Sequence, residues 1–225
     1  MLKRMINQLN GLEKNTRLWL LGVFIAPLML VLCASHASAY GVFNTQARQS
    51  SDMSAFHKWH KVRNKHESHM GRMRAACEKG RGCALERWEA MLDAAKDKPW
   101  REQLVTVNRY MNASPYVKDI VNWGVTDYWE TLHEFTSRRG DCEDYAIAKY
   151  ESLKRLGFNS KDLTIVVLND MNLRTLHAVL AVNKGGHTYI LDNQIKEVLK
   201  DSAIHHYKPI YSINEYAWWR HLPKN

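Results

Sequence analysis

Apolar residues recur at helical spacing in three stretches of the chain. Leu85, Trp88, Met91, Leu92 and Ala95 mark one amphipathic helix, and a second runs from about Trp100 to Asn112. Ile147, Tyr150, Leu153 and Leu156 continue a third that begins at Cys142, with Gly157 as its stop signal. The pattern then shortens. Leu163–Leu168, His177–Val182 and Thr188–Leu191 are compact apolar runs that predict strands. Helices followed by strands predict an α+β fold: a helical N-terminal half, with the Cys142 helix packed on an antiparallel sheet. Pro115, Gly124 and Gly140 punctuate a loop-rich region ahead of that helix, and there are no repeats or low-complexity linkers.

The N-terminus carries a different pattern. Lys3, Arg4, Lys14 and Arg17 precede an apolar run from Leu18 to Ala34, and Ala37-Ser38-Ala39 offers a cleavage site before Tyr40. Residues 1–39 therefore read as a signal peptide and a periplasmic address, with an uncleaved anchor as the alternative because 17 apolar residues approach a membrane span. Cleavage there lowers the formal net charge from +9 to about +6 and leaves 186 residues, enough for one domain with a sizeable core. Cys77 and Cys83 flank a Gly-containing turn and can pair in an oxidising compartment, although two free thiols fit as well. Residues 40–84 are basic and hold His57, His60, His66 and His69, which reads as a solvated, partly helical arm rather than a metal site, since neighbouring Lys and Arg repel a divalent ion. Residues 85–225 form the main domain. Nucleic acid is not an expected partner, because a secretory signal removes the chain from it.

The chemistry concentrates in Arg139-Gly140-Asp141-Cys142-Glu143-Asp144-Tyr145, one cysteine among three carboxylates at a helix start. Asp141 is a plausible N-cap with Asp144 in the capping-box position. In the first turn, unpaired backbone N–H groups and the helix dipole favour a thiolate. His177 follows 35 residues later at the head of a predicted strand, and Asp192 another 15 later at the end of the next. Cys, His and Asp in this order read as a nucleophile, its base and the base's orienter. Taken singly, each has a structural explanation, since carboxylates cap helices and an Asp before Asn193 starts turns. The three carboxylates beside Cys142 oppose a thiolate, so something positive must offset them, either Arg138 and Arg139 or a cation.

Gly140–Tyr150, His177–Ala181 and Leu191-Asp192-Asn193 together resemble the bacterial transglutaminase-like cysteine proteinases, in particular the periplasmic branch that trims giant biofilm adhesins. Trp123–Trp129 and Pro209–Asn214 fit the same pattern, so the resemblance spans roughly Trp88 to Trp219. It implies a papain-like, transglutaminase-like α+β fold and a Cys142–His177–Asp192 triad. It also implies Ca2+ at Asp141, Glu143 and Asp144, with Asn183 as a further candidate ligand. Calcium takes six to eight oxygens and would neutralise the charge around Cys142. The implied substrate is the N-terminal region of a large surface adhesin, whose release disperses biofilm. The implied partner is an inner-membrane cyclic di-GMP receptor that sequesters the protease. Two other readings stay open: a transglutaminase that passes the acyl group to an amine, and a non-catalytic, calcium-stabilised binding module.

Overall fold

In chain order the elements are β1 (Thr45–Ser50), α1 (His57–Cys77), α2 (Ala84–Lys96), α3 (Trp100–Asn112), α4 (Asp119–Asn122), α5 (Leu132–Arg138) and α6 (Cys142–Arg155), followed by β2 (Leu163–Asp170), β3 (Thr175–Lys184), β4 (His187–Leu191), β5 (Leu199–Lys200), β6 (Tyr207–Ile213) and β7 (Trp218–Pro223). They are seen in a computed structural model that describes residues 41–78 and 83–224. The signal peptide or anchor expected at residues 1–39 lies outside the described residues. Among those described, no helix is long and apolar enough to cross a membrane.

The strands form one seven-stranded sheet in the order β1-β7-β6-β2-β3-β4-β5, and every pairing between them is antiparallel. Alternation along the strands gives the sheet two buried faces, as the pleat requires. Leu163, Ile165, Leu180, Val182 and Leu191 pack with the helices, while Val166, Leu168, Val179, Ala181 and Ile190 close a smaller core with Val42, Ile204 and Tyr207. The predicted helices and the three predicted strands are present; β1, β5, β6 and β7 carry no comparable apolar signal and take their strand form from the sheet.

The α6 helix is the axis of the helical layer, because α3, α5, β2 and β3 all pack against it. It is buried from Asp144 through Leu153, including Lys149, Glu151 and Ser152. Those polar groups break the apolar stripe in the sequence, and their burial follows from being enclosed on every side. Gly157, at φ +90°, ends the helix in a conformation that costs glycine nothing.

Among the described residues of the stretch 40–84, the expected solvated arm is instead part of the fold. Strand β1 pairs with β7 at the sheet edge, and α1 puts Trp59, Val62 and Met73 into the main core. Trp59 is fully buried and donates from Nε1 to the Asn214 carbonyl at 2.9 Å, tying α1 to the end of β6. His69 is buried too, its Nδ1 2.8 Å from Thr131 Oγ1. Lys and Arg occupy the outer face of α1 and hide its apolar stripe from a composition-based reading. Cys77 and Cys83 are joined in a disulfide.

Candidate active site

Cys142 is the first residue of α6. Asp141 caps the helix, and Asp144 Oδ2 accepts the Asp141 backbone N–H at 3.0 Å. The other Asp144 oxygen accepts the Glu130 backbone N–H at 2.7 Å, so one buried carboxylate fixes both strands of the loop over the helix start. Gly140 makes room for it: a Cβ there would lie 2.2 Å from Asp144 Oδ2. The Val117 N–H donates to the Gly140 carbonyl at 2.9 Å and closes the other side.

Cys142 is partly buried and borders a cleft of about 270 Å³, lined also by Tyr116, Asp127, Trp129, Glu143, His177 and Tyr211. Its Sγ lies 3.1 Å from Glu143 Oε2, to which the thiol donates. Burial pushes the Cys142 thiol pKa up, and the charges of Glu143 and Asp141 add to the rise. The backbone N–H of Ala178 works the other way.

Opposite the thiol, His177 Nε2 and Asp192 Oδ1 are 2.9 Å apart, both side chains almost fully buried. Asp192 is held from three further directions. Its Oδ1 accepts the Gln194 N–H at 2.8 Å, its Oδ2 accepts the Tyr207 hydroxyl at 2.6 Å, and its backbone carbonyl accepts Asn112 Nδ2 at 2.7 Å. Burial alone would raise the Asp192 pKa, but the bond and charge of His177, with Tyr207 and Gln194, hold it below the ordinary carboxylate value. The remaining ring nitrogen, Nδ1, lies 3.3 Å from Gln194 Nε2. With Nε2 against Asp192, Nδ1 is the ring nitrogen that a Cys–His relay would use, and both His177 and Cys142 line the same cleft.

Acidic side chains crowd the other wall. Oxygens of Asp119, Asp141 and Asp144 lie within 4.8 Å of one another, and so do those of Asp119, Asp127 and Glu143. Asp119 Oδ1 and Asp141 Oδ1 are buried without a hydrogen-bond partner, as is Glu130 Oε2 next to them. Burial, followed by repulsion from Asp141 and Asp127, raises Asp119 to about 6 even though the Tyr128 N–H opposes it. Burial and the adjoining Glu143 raise Asp141 to about 8. Buried, unpartnered carboxylate oxygens turned toward one another are what a hard cation needs, and these groups could hold a metal ion.

Asp141, Glu143 and Asp144 are therefore brought together as the sequence suggests, but Asn183 is not. Asn183 Oδ1 accepts the Thr188 hydroxyl at 2.8 Å, inside the β3–β4 ladder. It stands five residues beyond Ala178, roughly 17 Å along an extended strand. The expected loop at 183–187 is a two-residue turn, Gly185-Gly186, which leaves Asn183 within the strand. In its place the structure supplies Asp119 and Asp127, which sequence reading missed. Asp127 lay within the Trp123–Trp129 segment singled out above; Asp119, at the head of α4, gave no signal.

The family signature described as Peptidase_C93, bacterial transglutaminase-like cysteine proteinase BTLCP, matches residues 62–225. The chain belongs to that family. Among solved structures, Legionella pneumophila LapG is similar at 32% identity and TM-score 0.59, over 67% of this chain and 86% of that one. Its calcium-bound form matches equally well, and its EGTA-treated form matches at the same identity and TM-score over 84% of that chain. No curated protein matches the chain. The fold, an all-antiparallel sheet carrying a buried cysteine helix, is the transglutaminase-like one, and the chain is a cysteine peptidase of the LapG type.

Proposed function

We propose that this cysteine proteinase is a calcium-dependent periplasmic endopeptidase in which Cys142, His177 and Asp192 act as a triad. The observation that carries the reading is the buried 2.9 Å contact between His177 and Asp192 beside the cleft that Cys142 borders. Cys142 attacks the peptide carbonyl, His177 protonates the leaving amine, and His177 then activates the water that hydrolyses the thioester. The Cys142 backbone N–H, at the helix start, is a natural donor to the oxyanion.

Asp119, Asp127, Asp141, Glu143 and Asp144 would hold calcium. The ion supplies positive charge against the carboxylates that otherwise oppose a thiolate. Support comes from the unpartnered oxygens of Asp119 and Asp141 and from the calcium-bound form of the related LapG.

The substrate in this reading is the N-terminal region of a large surface adhesin, cut so as to release it and disperse biofilm. An inner-membrane cyclic di-GMP receptor is the sequestering partner. Both rest on the family resemblance. The test incubates the chain, wild type and Cys142→Ser, with the N-terminal region of an adhesin from the same organism, in calcium and in chelator. A single calcium-dependent cut that Cys142→Ser abolishes is expected. Incorporation of an added amine instead of a free N-terminus would replace the peptidase reading with a transglutaminase.

A further inference from the structure

Asp192 stands just past the end of a strand. The strand β4 closes at Leu191, and the chain then runs irregularly to β5 at Leu199, so Asp192 has no ladder partner of its own. The torsion that turns an aspartate carboxylate is broad, and a carboxylate held at one oxygen alone can swing about that bond. Its Oδ1 serves His177 Nε2 at 2.9 Å and the Gln194 N–H at 2.8 Å. Among the described residues, the sole donor to Oδ2 is the Tyr207 hydroxyl, at 2.6 Å. That length belongs to a charge-assisted bond, the stronger kind of hydrogen bond.

Tyr207 is itself held firmly. It opens β6, paired with Asp170 of β2, and is only 1% exposed. Its ring centre lies 5.7 Å from that of His177, and on another side it meets Phe43 edge to face at 5.6 Å, the planes at 86°. The core around it is apolar, built from Val42, Val166, Leu168, Val179 and Ile204. A phenylalanine would fill that space equally well, and a hydroxyl buried there without a partner would be a cost. Among the described residues, the hydroxyl has one use, the bond to Asp192.

We propose that Tyr207 is a positioning residue for the acyl transfer at Cys142: its hydroxyl fixes the second oxygen of Asp192, so that Oδ1 stays on His177 Nε2, while its ring packs against the imidazole. The inference rests on the triad reading above. It adds to the triad a residue from β6, an element distant in sequence from Cys142 and His177. Tyr207 acts through Asp192 and His177, by keeping the imidazole in one orientation for the proton transfers.

The test measures kcat and KM for cleavage of the adhesin N-terminal region, with calcium present and at one pH. The full chain is compared with Tyr207→Phe, Asp192→Asn and the double variant. Tyr207→Phe should lower kcat about tenfold and leave KM within about twofold, because orientation of the reacting groups is lost and substrate binding is not. Made in Asp192→Asn, the same change should cost less than about twofold, the non-additivity of two groups that act as one unit. Phe43→Leu disturbs the same core and keeps the hydroxyl, so it should lower the melting temperature and leave kcat within about twofold. A wild-type kcat in Tyr207→Phe overturns the inference, whatever happens to KM. An equal loss in both backgrounds, or an equal loss in Phe43→Leu, also overturns it by assigning the effect to packing. Failure of Tyr207→Phe to fold does the same, since the hydroxyl would then be structural. If the wild type leaves the adhesin uncut, or Asp192→Asn cuts as fast as wild type, the reading above falls and takes this inference with it.

Discussion

His177 and Asp192 are diagonal neighbours across the β3–β4 hairpin. The last ladder pair of that hairpin is Leu180 with Leu191, and continuing the register places Asp192 opposite Val179 and Gln194 opposite His177. Residues offset by two on adjacent antiparallel strands share a face and remain within side-chain reach. The register is set by the turn at Gly185-Gly186, both at positive φ (+60° and +74°), the conformation of a tight two-residue hairpin. Asp192→Asn keeps the shape of the side chain but, in the proposed triad, loses the charge that orients the His177 ring. Cleavage should fall by about two to four orders of magnitude while circular dichroism stays that of wild type.

In the proposed reading, protons and calcium compete for the same carboxylates. Asp119 and Asp141, raised to about 6 and about 8, bind protons in the folded state at a pH where the unfolded chain has released them. Their contribution to metal-free stability is therefore present at low pH and lost as pH rises through those values. The gain in melting temperature on adding calcium should then grow from about pH 6 to about pH 8, because less proton must be displaced. A gain that is flat with pH would place the ion elsewhere.

The same calcium titration separates the ligand assignments. Asp119→Asn and Asp127→Asn should each weaken the calcium response of the melting temperature by about tenfold or more in calcium concentration. Asn183→Ala should leave it unchanged, since Asn183 is engaged by Thr188 within the ladder.

Gly140 is required for packing and not for an unusual backbone angle. Adding a methyl group at 2.2 Å from Asp144 Oδ2 forces that carboxylate away from the N–H groups of Glu130 and Asp141. Gly140→Ala should cost about 2 kcal/mol in denaturant unfolding and slow Cys142 alkylation together, through overpacking and the loss of the cap.

His221 ties the sheet edge together as a neutral ring, with Nδ1 3.1 Å from Thr45 Oγ1 and Nε2 3.0 Å from Ser212 Oγ. Burial takes its pKa down to about 4. The unfolded chain therefore binds the proton first as pH falls. The stability this ring contributes is complete above its ordinary pKa and declines from about pH 6.5 to about pH 4, on the order of 2 kcal/mol. His221→Gln should flatten that part of the stability–pH curve in urea titrations.

The chain's own pattern determined the local elements and the chemistry within each. Helical spacing from Cys142 and the Asp141/Asp144 cap define α6, and three apolar runs define β2, β3 and β4, because these signals act between residues a few positions apart. The cysteine, histidine and aspartate could be picked out for the same reason: each sits at the end of an element that the pattern marks. What required the tertiary structure was everything that comes from distant parts of the chain. Basic side chains along α1 concealed a helix whose Trp59 lies in the core. Edge strand β1 and its neighbour β7 carry little apolar signal of their own and take strand form from their pairing. Asp119 and Asp127 become neighbours of Asp141 and Glu143 through the loop that Gly140 and Asp144 hold down, and Asn183 is removed by a hairpin register that one turn decides. Lys149 reads as a solvent-facing position until α3, α5 and the sheet enclose α6, since burial depends on which surfaces meet and not on the residue that is buried.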